Sequence, residues 1–190
     1  MARQQNQVRI IGGRLRSRKL SVPDLSGLRP TPDRIRETLF NWLNSISAQS
    51  NVLDCFAGSG ALGIEAASRG TKNVVLVEKD RTAAINLKMQ IDTLESNLAE
   101  VINDDILVYL ENCSRVFDIV FVDPPYRLPE LRDQVLNKLI ERSLINEDSL
   151  IYLEWPTHDS TYTLPDQFVW IKRKRAGQVE YGIAQVVRNR

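Results

Sequence analysis

The sequence predicts an α/β fold built on a doubly wound, mostly parallel seven-stranded sheet. From residue 51 onward, short apolar runs alternate with segments of helical periodicity, which is typical of a parallel sheet covered on both faces. The chain closes with two β-rich runs around Ala176 and Gly177 and no helix between them, so one strand must run antiparallel to its neighbour. We therefore expect an antiparallel edge hairpin at the C-terminal end and a short β-hairpin and helix extension at the N-terminal end.

The N-terminal segment predicts a hairpin. The runs QVRIIGG and RKLSVP are strand-like and flank a glycine-rich turn. We expect residues 1–30 to form a basic arm and residues 31–190 to form a single globular domain.

The segment LRPTPDRIRETLFNWLNSI predicts the first helix. Thr31 can cap it, Pro32 suits its first position, and Asp33 is favoured near its positive end. Apolar residues then recur at helical spacing and predict a buried stripe, which comprises Ile35, Leu39, Trp42, Leu43 and Ile46. Three charged residues lie largely off this stripe, namely Arg34, Arg36 and Glu37.

The alternating region supplies the remaining elements. The strand-like runs are NVLDCF, NVVLVE, AEVIN and FDIVFVD, and a further strand, DSLIYLEW, follows them. The helix-like runs cover residues 60–69, 81–95, 105–112 and 129–142.

Composition narrows the function classes. Of the 190 residues, 43% are hydrophobic and 26% are charged, as in an ordinary single-domain globular protein. No apolar run approaches the ~18 residues of a membrane span, and the N-terminus lacks a signal-peptide core, so we expect a cytoplasmic protein without membrane contact. Cys55 and Cys113 fit that compartment as reduced thiols. With His158 as the single histidine, we expect no metal site, and at this size we expect a monomer.

The net charge of +1 hides an asymmetry. Residues 1–36 hold nine basic and two acidic side chains, a net charge of +7, whereas the rest of the chain carries −6. This separation indicates a face that meets a polyanion, the alternative being a merely solvated arm. If GGRLRSRKL forms a strand, alternation puts Arg14, Arg16 and Arg18 on one face.

The segment VLDCFAGSGALGIEAASRG predicts a nucleotide-binding loop. Gly58, Gly60 and Gly63 form G-x-G-x-x-G between a strand and a helix, and Glu78 follows about 20 residues after the first glycine, as in dinucleotide sites. Asp54, just before the loop, would repel the pyrophosphate of NAD. S-adenosylmethionine (SAM) instead carries an ammonium and a sulfonium cation, which a carboxylate stabilises. Charge therefore favours SAM, with Glu78 on its ribose hydroxyls; Gly63 has the alternative role of allowing close helix–strand packing.

A second acidic position follows the third strand of the alternating region. Asp105 is expected to accept a hydrogen bond from the adenine amino group, beside the backbone of Ile106. Asp104 is the alternative; we favour Asp105 because it directly precedes the apolar run ILVYL. Glu78 and Asp105 each have a simpler explanation as an acid at a helix N-terminus.

The tetrapeptide DPPY follows the fourth strand. Two prolines can simply end a strand, but this leaves Asp123 and Tyr126 unexplained. The exocyclic amine of a base is a poor nucleophile, because its lone pair is delocalised into the ring. Asp123 and the Pro124 carbonyl can accept its two hydrogens, and the prolines, Pro124 and Pro125, hold that carbonyl rigidly. Tyr126 offers a ring face on which an extruded base can stack.

Together, DCFAGSG and DPPY resemble the class I SAM-dependent amino-methyltransferases, which are Rossmann-like. With RIIGGRLRSRKL and LRPTPDRIRETLFNWL, nearly the whole chain from Val8 resembles the bacterial 16S ribosomal RNA (guanine-N2)-methyltransferases, the RsmD family. The resemblance implies methyl transfer from SAM to the N2 amine of one guanine in 16S rRNA. It also implies that the small ribosomal subunit, or its assembly intermediate, presents the substrate.

The resemblance also implies roles for individual residues. The target-amine site comprises Asp123, Pro124, Pro125 and Tyr126. The cofactor site comprises Asp54, Phe56, Ala57, Gly58, Ser59, Gly60, Glu78, Lys79, Asp105 and Ile106, while Thr31, Arg36 and Glu37 close over the cofactor or touch RNA. The basic residues expected to contact RNA, on the charge asymmetry above, are Arg14, Arg16, Arg18, Lys19 and Arg34.

The expected reaction is a direct in-line displacement without a covalent enzyme intermediate. A DNA adenine-N6 or cytosine-N4 methyltransferase is the nearest alternative, but such enzymes usually need a target-recognition region for which this chain has no room. An NAD-dependent oxidoreductase leaves DPPY unexplained. A non-catalytic RNA-binding factor is disfavoured by the presence of both Asp123 and Tyr126.

Overall fold

The computed structural model describes residues 7–22, 31–43, 48–71, 73–95, 97–159 and 162–187. Its elements in chain order are β1 (Gln7–Arg9), β2 (Lys19–Ser21), α1 (Asp33–Trp42), β3 (Asn51–Asp54), α2 (Gly63–Ser68), β4 (Asn73–Val77), α3 (Arg81–Leu94), β5 (Glu100–Ile102), α4 (Ile106–Asn112), β6 (Ile119–Val122), α5 (Glu130–Glu141), β7 (Leu150–Pro156), β8 (Phe168–Ala176) and β9 (Val179–Val186).

A seven-stranded sheet with the order β5-β4-β3-β6-β7-β9-β8 forms the centre of the molecule. The first five strands in this order are parallel, and β9 runs antiparallel to both β7 and β8. The predicted fold class and its antiparallel C-terminal hairpin are therefore confirmed. Strand order reverses between β3 and β6, and ligands of open α/β sheets bind beyond the carboxyl ends of strands at such a point.

Helices cover both faces of this sheet. Apolar side chains of α1, α2 and α3 belong to one buried cluster, and those of α4 and α5 belong to a second cluster on the other face. The strands between them are almost continuously apolar because neither face meets water. This arrangement leaves the strand ends and their loops as the accessible part of the sheet.

The N-terminal hairpin is present but shorter than its sequence suggests. β1 and β2 pair antiparallel, with Arg9 opposite Lys19, and the hairpin's apolar side chains join the cluster under α1–α3. Residues 10–18 form turns instead of continuing the strands, so the expected alternation of Arg14, Arg16 and Arg18 on one strand face is wrong. The turns follow because this loop docks on α2, where Ser68 O and Ser68 Oγ accept hydrogen bonds from the N–H groups of Arg14 (2.8 Å) and Leu15 (3.0 Å).

Helix α1 differs from the prediction at its start. Pro32 occupies the N-cap position without a side-chain cap bond, so the expected cap by Thr31 is wrong. Thr31 is buried, and its carbonyl accepts a hydrogen bond from Arg36 Nε (3.1 Å). Arg36 is itself completely buried, which corrects the expectation that it lies off the buried face.

The predicted stripe of α1 is otherwise confirmed. Ile35, Leu39 and Leu43 are buried, Trp42 stacks on Tyr181 with ring centroids 5.5 Å apart, and Ile46 lies outside the described residues. The next helix, α2, begins three residues later than predicted, because turns occupy the preceding positions.

Candidate cofactor and target-amine site

The glycine loop between β3 and α2 is held tightly against its surroundings. Ala57 N donates to Val77 O on β4 (2.9 Å), and Gly60 N closes a turn by donating to Ala57 O (2.7 Å). Gly60 has a φ of +78°, and a Cβ atom there would lie 2.6 Å from Ile64 Cδ1 and from Leu87 Cδ1. The loop therefore requires a residue without a side chain at this point.

Gly63 has a packing role, as its alternative interpretation proposed. A Cβ atom on Gly63 would lie 2.0 Å from Leu76 Cδ2, so the glycine permits α2 to pass close to β4. Its N–H donates to Asp54 Oδ2 (2.9 Å). The third glycine of the dinucleotide pattern is thus explained without a pyrophosphate.

Asp54 lies at the end of β3 with its side chain in the protein interior. It is 1% exposed, and its Oδ1 atom has no hydrogen-bond partner among the described residues. Burial raises the pKa of Asp54 from 3.8 to about 7, against the lowering effect of the backbone N–H groups of Gly63 and Phe56, and the charge of Glu78 raises it further. A buried acceptor oxygen near a second carboxylate fits a cationic group such as the ammonium of SAM.

The predicted ribose and adenine residues form one hydrogen-bonded cluster beyond β4 and β5. Glu78 Oε2 accepts from Gly58 N (2.8 Å), and Lys79 Nζ donates to Asp105 Oδ2 (2.9 Å). Asn103, which sequence reasoning missed, donates through Nδ2 to the Glu78 carbonyl (2.9 Å) and the Lys79 carbonyl (3.1 Å). The structure therefore brings together the glycine loop and the acids expected for the nucleoside end of SAM.

Within this cluster, Asp105 also has the simpler role foreseen for it. Its Oδ1 accepts from Leu107 N (2.9 Å) as the N-cap of α4. The hydrogen bond from Lys79 lowers the pKa of Asp105. Asp104 is exposed and accepts from Asp105 N (2.8 Å). The cap of α3 is Asp80 instead of Glu78. Glu78 accepts from Asp80 N through Oε1 (2.7 Å) and from Gly58 N of the loop through Oε2 (2.8 Å).

Asp123 follows β6 at the same edge of the sheet. Asp54 is aligned with Phe121 in the parallel pairing of β3 and β6, so Asp123 lies two residues beyond that level. Its Oδ1 atom is buried and has no hydrogen-bond partner in the described part of the chain. Burial, followed by the negative charges of Asp54, Glu154 and Glu78, raises the pKa of Asp123 well above its usual range. This carboxyl group is thus an unused acceptor beside the cofactor loop.

Tyr126 lies at the surface of the loop that follows β6, and its role in stacking a base stays a prediction. The residue is 45% exposed, and its hydroxyl donates to Glu154 Oε1 (2.8 Å). Glu154 is a candidate site residue that sequence reasoning missed, because it lies in the apolar strand run IYLEW. The sequence does contain one signal for Glu154, because an acidic residue is unusual in an apolar strand and this one lies near the strand's carboxyl end. Pro124 is buried and Pro125 is half-buried, so the loop between Asp123 and Tyr126 is anchored.

The other predicted residues divide into two groups. Arg36 is held by Arg9 O (2.9 Å), Asp33 Oδ1 (2.6 Å) and Thr31 O, which leaves it no surface for RNA; a role for it or for Thr31 at the cofactor stays a prediction. Arg14 forms an ion pair with Glu95. Side chains that stay exposed on the hairpin and α1 are Arg16, Arg18, Lys19, Arg34 and Glu37.

Two further findings concern metals and membranes. In the described ranges no group of three or more His, Cys, Asp or Glu side chains is arranged to hold a metal ion. Of the helices in those ranges, none combines the length and apolar character needed to span a membrane.

Comparisons with known proteins give the family. The family described as conserved hypothetical protein 95 matches residues 8–185. Ribosomal RNA small subunit methyltransferase D of Escherichia coli K12 is 44% identical over 94% of this chain and 90% of that protein. The solved structure of Escherichia coli yhhF, 41% identical, superposes with a TM-score of 0.86 over 95% of this chain and 98% of the other. An RNA methyltransferase from Salinibacter ruber, solved in complex with S-adenosyl-L-homocysteine, shares only the fold, at 13% identity and a TM-score of 0.65 over 83% and 94%. The chain therefore belongs to the family of ribosomal RNA small subunit methyltransferase D.

Proposed function

We propose that this protein transfers a methyl group from SAM to the N2 amine of a guanine in 16S rRNA. The observation that carries the proposal is the buried Oδ1 atom of Asp123, which has no hydrogen-bond partner among the described residues, in the same loop as the exposed Tyr126. One group can accept a hydrogen bond from an amine and the other can stack on the base that bears it. The family to which the chain belongs supports rRNA as the class of substrate.

The residues fit SAM better than a dinucleotide. Asp54 supplies a buried acceptor for the ammonium group, and Glu78, Lys79 and Asp105 would line the nucleoside end. Phe56, Ala57, Gly58, Ser59 and Gly60 would form the loop around the methionine part, while Ile106 would lie beside adenine. When bound, SAM supplies a methyl group on a positively charged sulfur.

The chain's own residues prepare the acceptor. Asp123 and the Pro124 carbonyl accept hydrogen bonds from the two N–H groups of the amine. These hydrogen bonds favour a lone pair that is localised on the amine nitrogen. The fixed φ of the prolines keeps that carbonyl in place. Stacking on Tyr126 orients the base, so much of the rate gain comes from proximity and orientation. One proton leaves the nitrogen after transfer, and the raised pKa of Asp123 makes this carboxylate a competent acceptor for it.

The form of the substrate, the oligomeric state and the cellular location belong to the same proposal. The substrate is the small subunit or its assembly intermediate, the enzyme acts as a monomer, and it works in the cytoplasm, where bacterial ribosomes are assembled. A DNA amine is the competing substrate, since DPPY suits adenine-N6 and cytosine-N4 equally well. The rRNA assignment of the relatives favours RNA.

Transfer of labelled methyl groups from SAM tests the proposal. Undermethylated small subunits, naked 16S rRNA and DNA are compared, and mass spectrometry of digested rRNA locates the modified nucleotide. Asp123→Ala is expected to lower turnover by at least about 100-fold while SAM affinity is retained. Asp92→Ala, which changes an exposed aspartate of α3, is the matched control. Normal turnover by Asp123→Ala, or methylation of DNA alone, would contradict the proposal.

A further inference from the structure

We propose that Glu154 is a positioning residue of the target-amine site, which fixes the ring of Tyr126 and thereby the base that stacks on it. The inference rests on the proposed function, because it assigns a partner to the stacking residue. It adds the strand β7 to a target-amine site so far built only from the loop that follows β6.

The strand register places Glu154 beside the reacting group. β7 runs parallel to β6 with Leu153 aligned to Val122, so Glu154 is one position beyond this pair, as Asp123 is on β6. β7 is a central strand with β6 on one side and β9 on the other. A side chain on such a strand is a rigid support, whereas Tyr126 lies in a loop at the surface.

The hydrogen bond between the two side chains ties loop to strand. Tyr126 OH donates to Glu154 Oε1 at 2.8 Å, although the tyrosine is 45% exposed and the glutamate is 7% exposed. Burial raises the pKa of Glu154, and the hydrogen bonds from Tyr126 and Tyr152 oppose that rise because they stabilise the charged form. A hydrogen bond to the charged form is stronger than one between neutral groups. The tyrosine therefore has a fixed direction before any base arrives.

Glu154 is itself fixed from the core side. Tyr152 OH donates to Glu154 Oε2 at 2.8 Å, and Tyr152 is buried. The ring of Tyr152 contacts Phe121 and Tyr181 edge-on or tilted, with centroids 6.2 Å and 6.3 Å away. Both carboxylate oxygens thus have a phenol donor, one from the core and one from the site. The buried Tyr152 therefore holds Glu154 in place, and Glu154 in turn holds the ring of Tyr126.

A double-mutant cycle on methyl transfer to undermethylated small subunits tests this role. Tyr126→Phe removes the hydroxyl and keeps the ring, and Glu154→Gln removes the charge of the acceptor. Each change is expected to lower kcat/KM for the subunits by about tenfold, with the Kd for SAM unchanged. If Glu154 acts through the tyrosine, the double variant is no worse than either single one, whereas independent effects multiply to about 100-fold.

Controls separate positioning from folding. Glu100→Gln removes a strand carboxylate at the opposite edge of the sheet and is expected to leave kcat/KM unchanged. Tyr126→Phe tests the same bond from the exposed side, so the inference remains testable if Glu154→Gln folds poorly. Wild-type kcat/KM in Tyr126→Phe, or effects that multiply in the double variant, would overturn the inference. A wild-type protein that methylates no small subunit would contradict the proposed function itself and this inference with it.

Discussion

At the residue scale, the site is an accumulation of carboxylates that form no ion pair within the described part of the chain. Asp54 ends β3, Glu78 and Asp123 follow β4 and β6, and Glu154 lies within the neighbouring strand β7. Burial, together with repulsion between carboxylates, raises the pKa of Asp54 and Asp123. Such a cluster costs stability in the free protein. The ammonium and sulfonium groups of SAM would reduce this repulsion, so the cluster is explained by binding of a cationic ligand.

The pH dependence of SAM binding follows from Asp54. Because its pKa is about 7 in the free protein, Asp54 becomes protonated below neutral pH and loses its attraction for an ammonium group. We expect the apparent affinity for SAM to fall by up to about tenfold per pH unit below pH 7 and to level off above it. Calorimetric titration between pH 5.5 and 8.5 measures this dependence.

Asp54→Asn provides the control. It is expected to bind SAM weakly and to lack the step near pH 7. Since the folded-state pKa lies above the usual 3.8, the wild-type carboxyl destabilises the fold increasingly as pH rises from about 4 to 7. The Tm advantage of Asp54→Asn should therefore grow over that range. A pH-independent affinity in the wild type would refute the role given to Asp54.

The position of a site residue could be predicted from the sequence where a local pattern marks it. It could not be predicted where the residue's role depends on a partner far away in the chain. Asp54, Glu78 and Asp123 each follow an apolar run directly, so their place at strand ends was visible. Glu154 gains its meaning from Tyr126, 28 positions away. Arg36 is buried against Glu65 of another helix, and helical periodicity carries no record of that contact.

At the element scale, the N-terminal hairpin is fastened to α2 through a buried carboxylate. Glu65 accepts from the N–H groups of Ile11 (2.7 Å) and Gly12 (2.8 Å), and its charge is balanced by Arg69 (2.8 Å) and Arg36 (3.6 Å). α2 directly follows the glycine loop. The arm and the cofactor loop are thus joined to one short helix.

Glu65→Ala tests this connection. The change leaves two backbone N–H groups without their acceptor and removes the buried ion-pair partner of the completely buried Arg36, so we expect a loss of about 3–5 kcal/mol in the free energy of unfolding. Urea denaturation measures the loss. Glu37→Ala, an exposed change on α1, should stay within about 0.5 kcal/mol of wild type. A cost below about 1 kcal/mol for Glu65→Ala would show that the network contributes little.

Strands and helices of the alternating region were predictable because the two patterns differ. A strand appears as a short continuous apolar run, whereas a helix appears as a longer segment with apolar residues at helical spacing. The turns over residues 10–18 were not predictable, since the alternating letters of GGRLRSRKL fit a strand equally well. Contacts with Ser68 decide that conformation: Gly13 has a φ of +73°, and a Cβ there would lie 1.9 Å from Ser68 O. The sheet order likewise depends on packing that the sequence pattern does not encode.

At the scale of the whole molecule, negative charge lines the site and positive charge lies on other surfaces. Exposed basic side chains project from the hairpin, and β8 presents Lys172, Arg173, Lys174 and Arg175 on the open edge of the sheet. Arg173 is already engaged by Glu180 (2.8 Å), and charges on an edge strand also discourage pairing with other chains. The hairpin is therefore the stronger candidate for contact with RNA phosphates.

Salt dependence distinguishes the hairpin residues from one another. Each phosphate neutralised by a free cation releases counterions, so the triple variant Arg16→Ala, Arg18→Ala, Lys19→Ala should reduce the slope of log K against log salt by about 2 on small subunits. Arg14→Ala should change the slope less, because Arg14 already pairs with Glu95. Lys138→Ala is the control, since Lys138 on α5 is held by Glu111 and Glu141. Filter binding across a salt series gives the slopes. An unchanged slope in the triple variant would mean that the basic arm is solvated surface, and that RNA is held by other parts of the molecule.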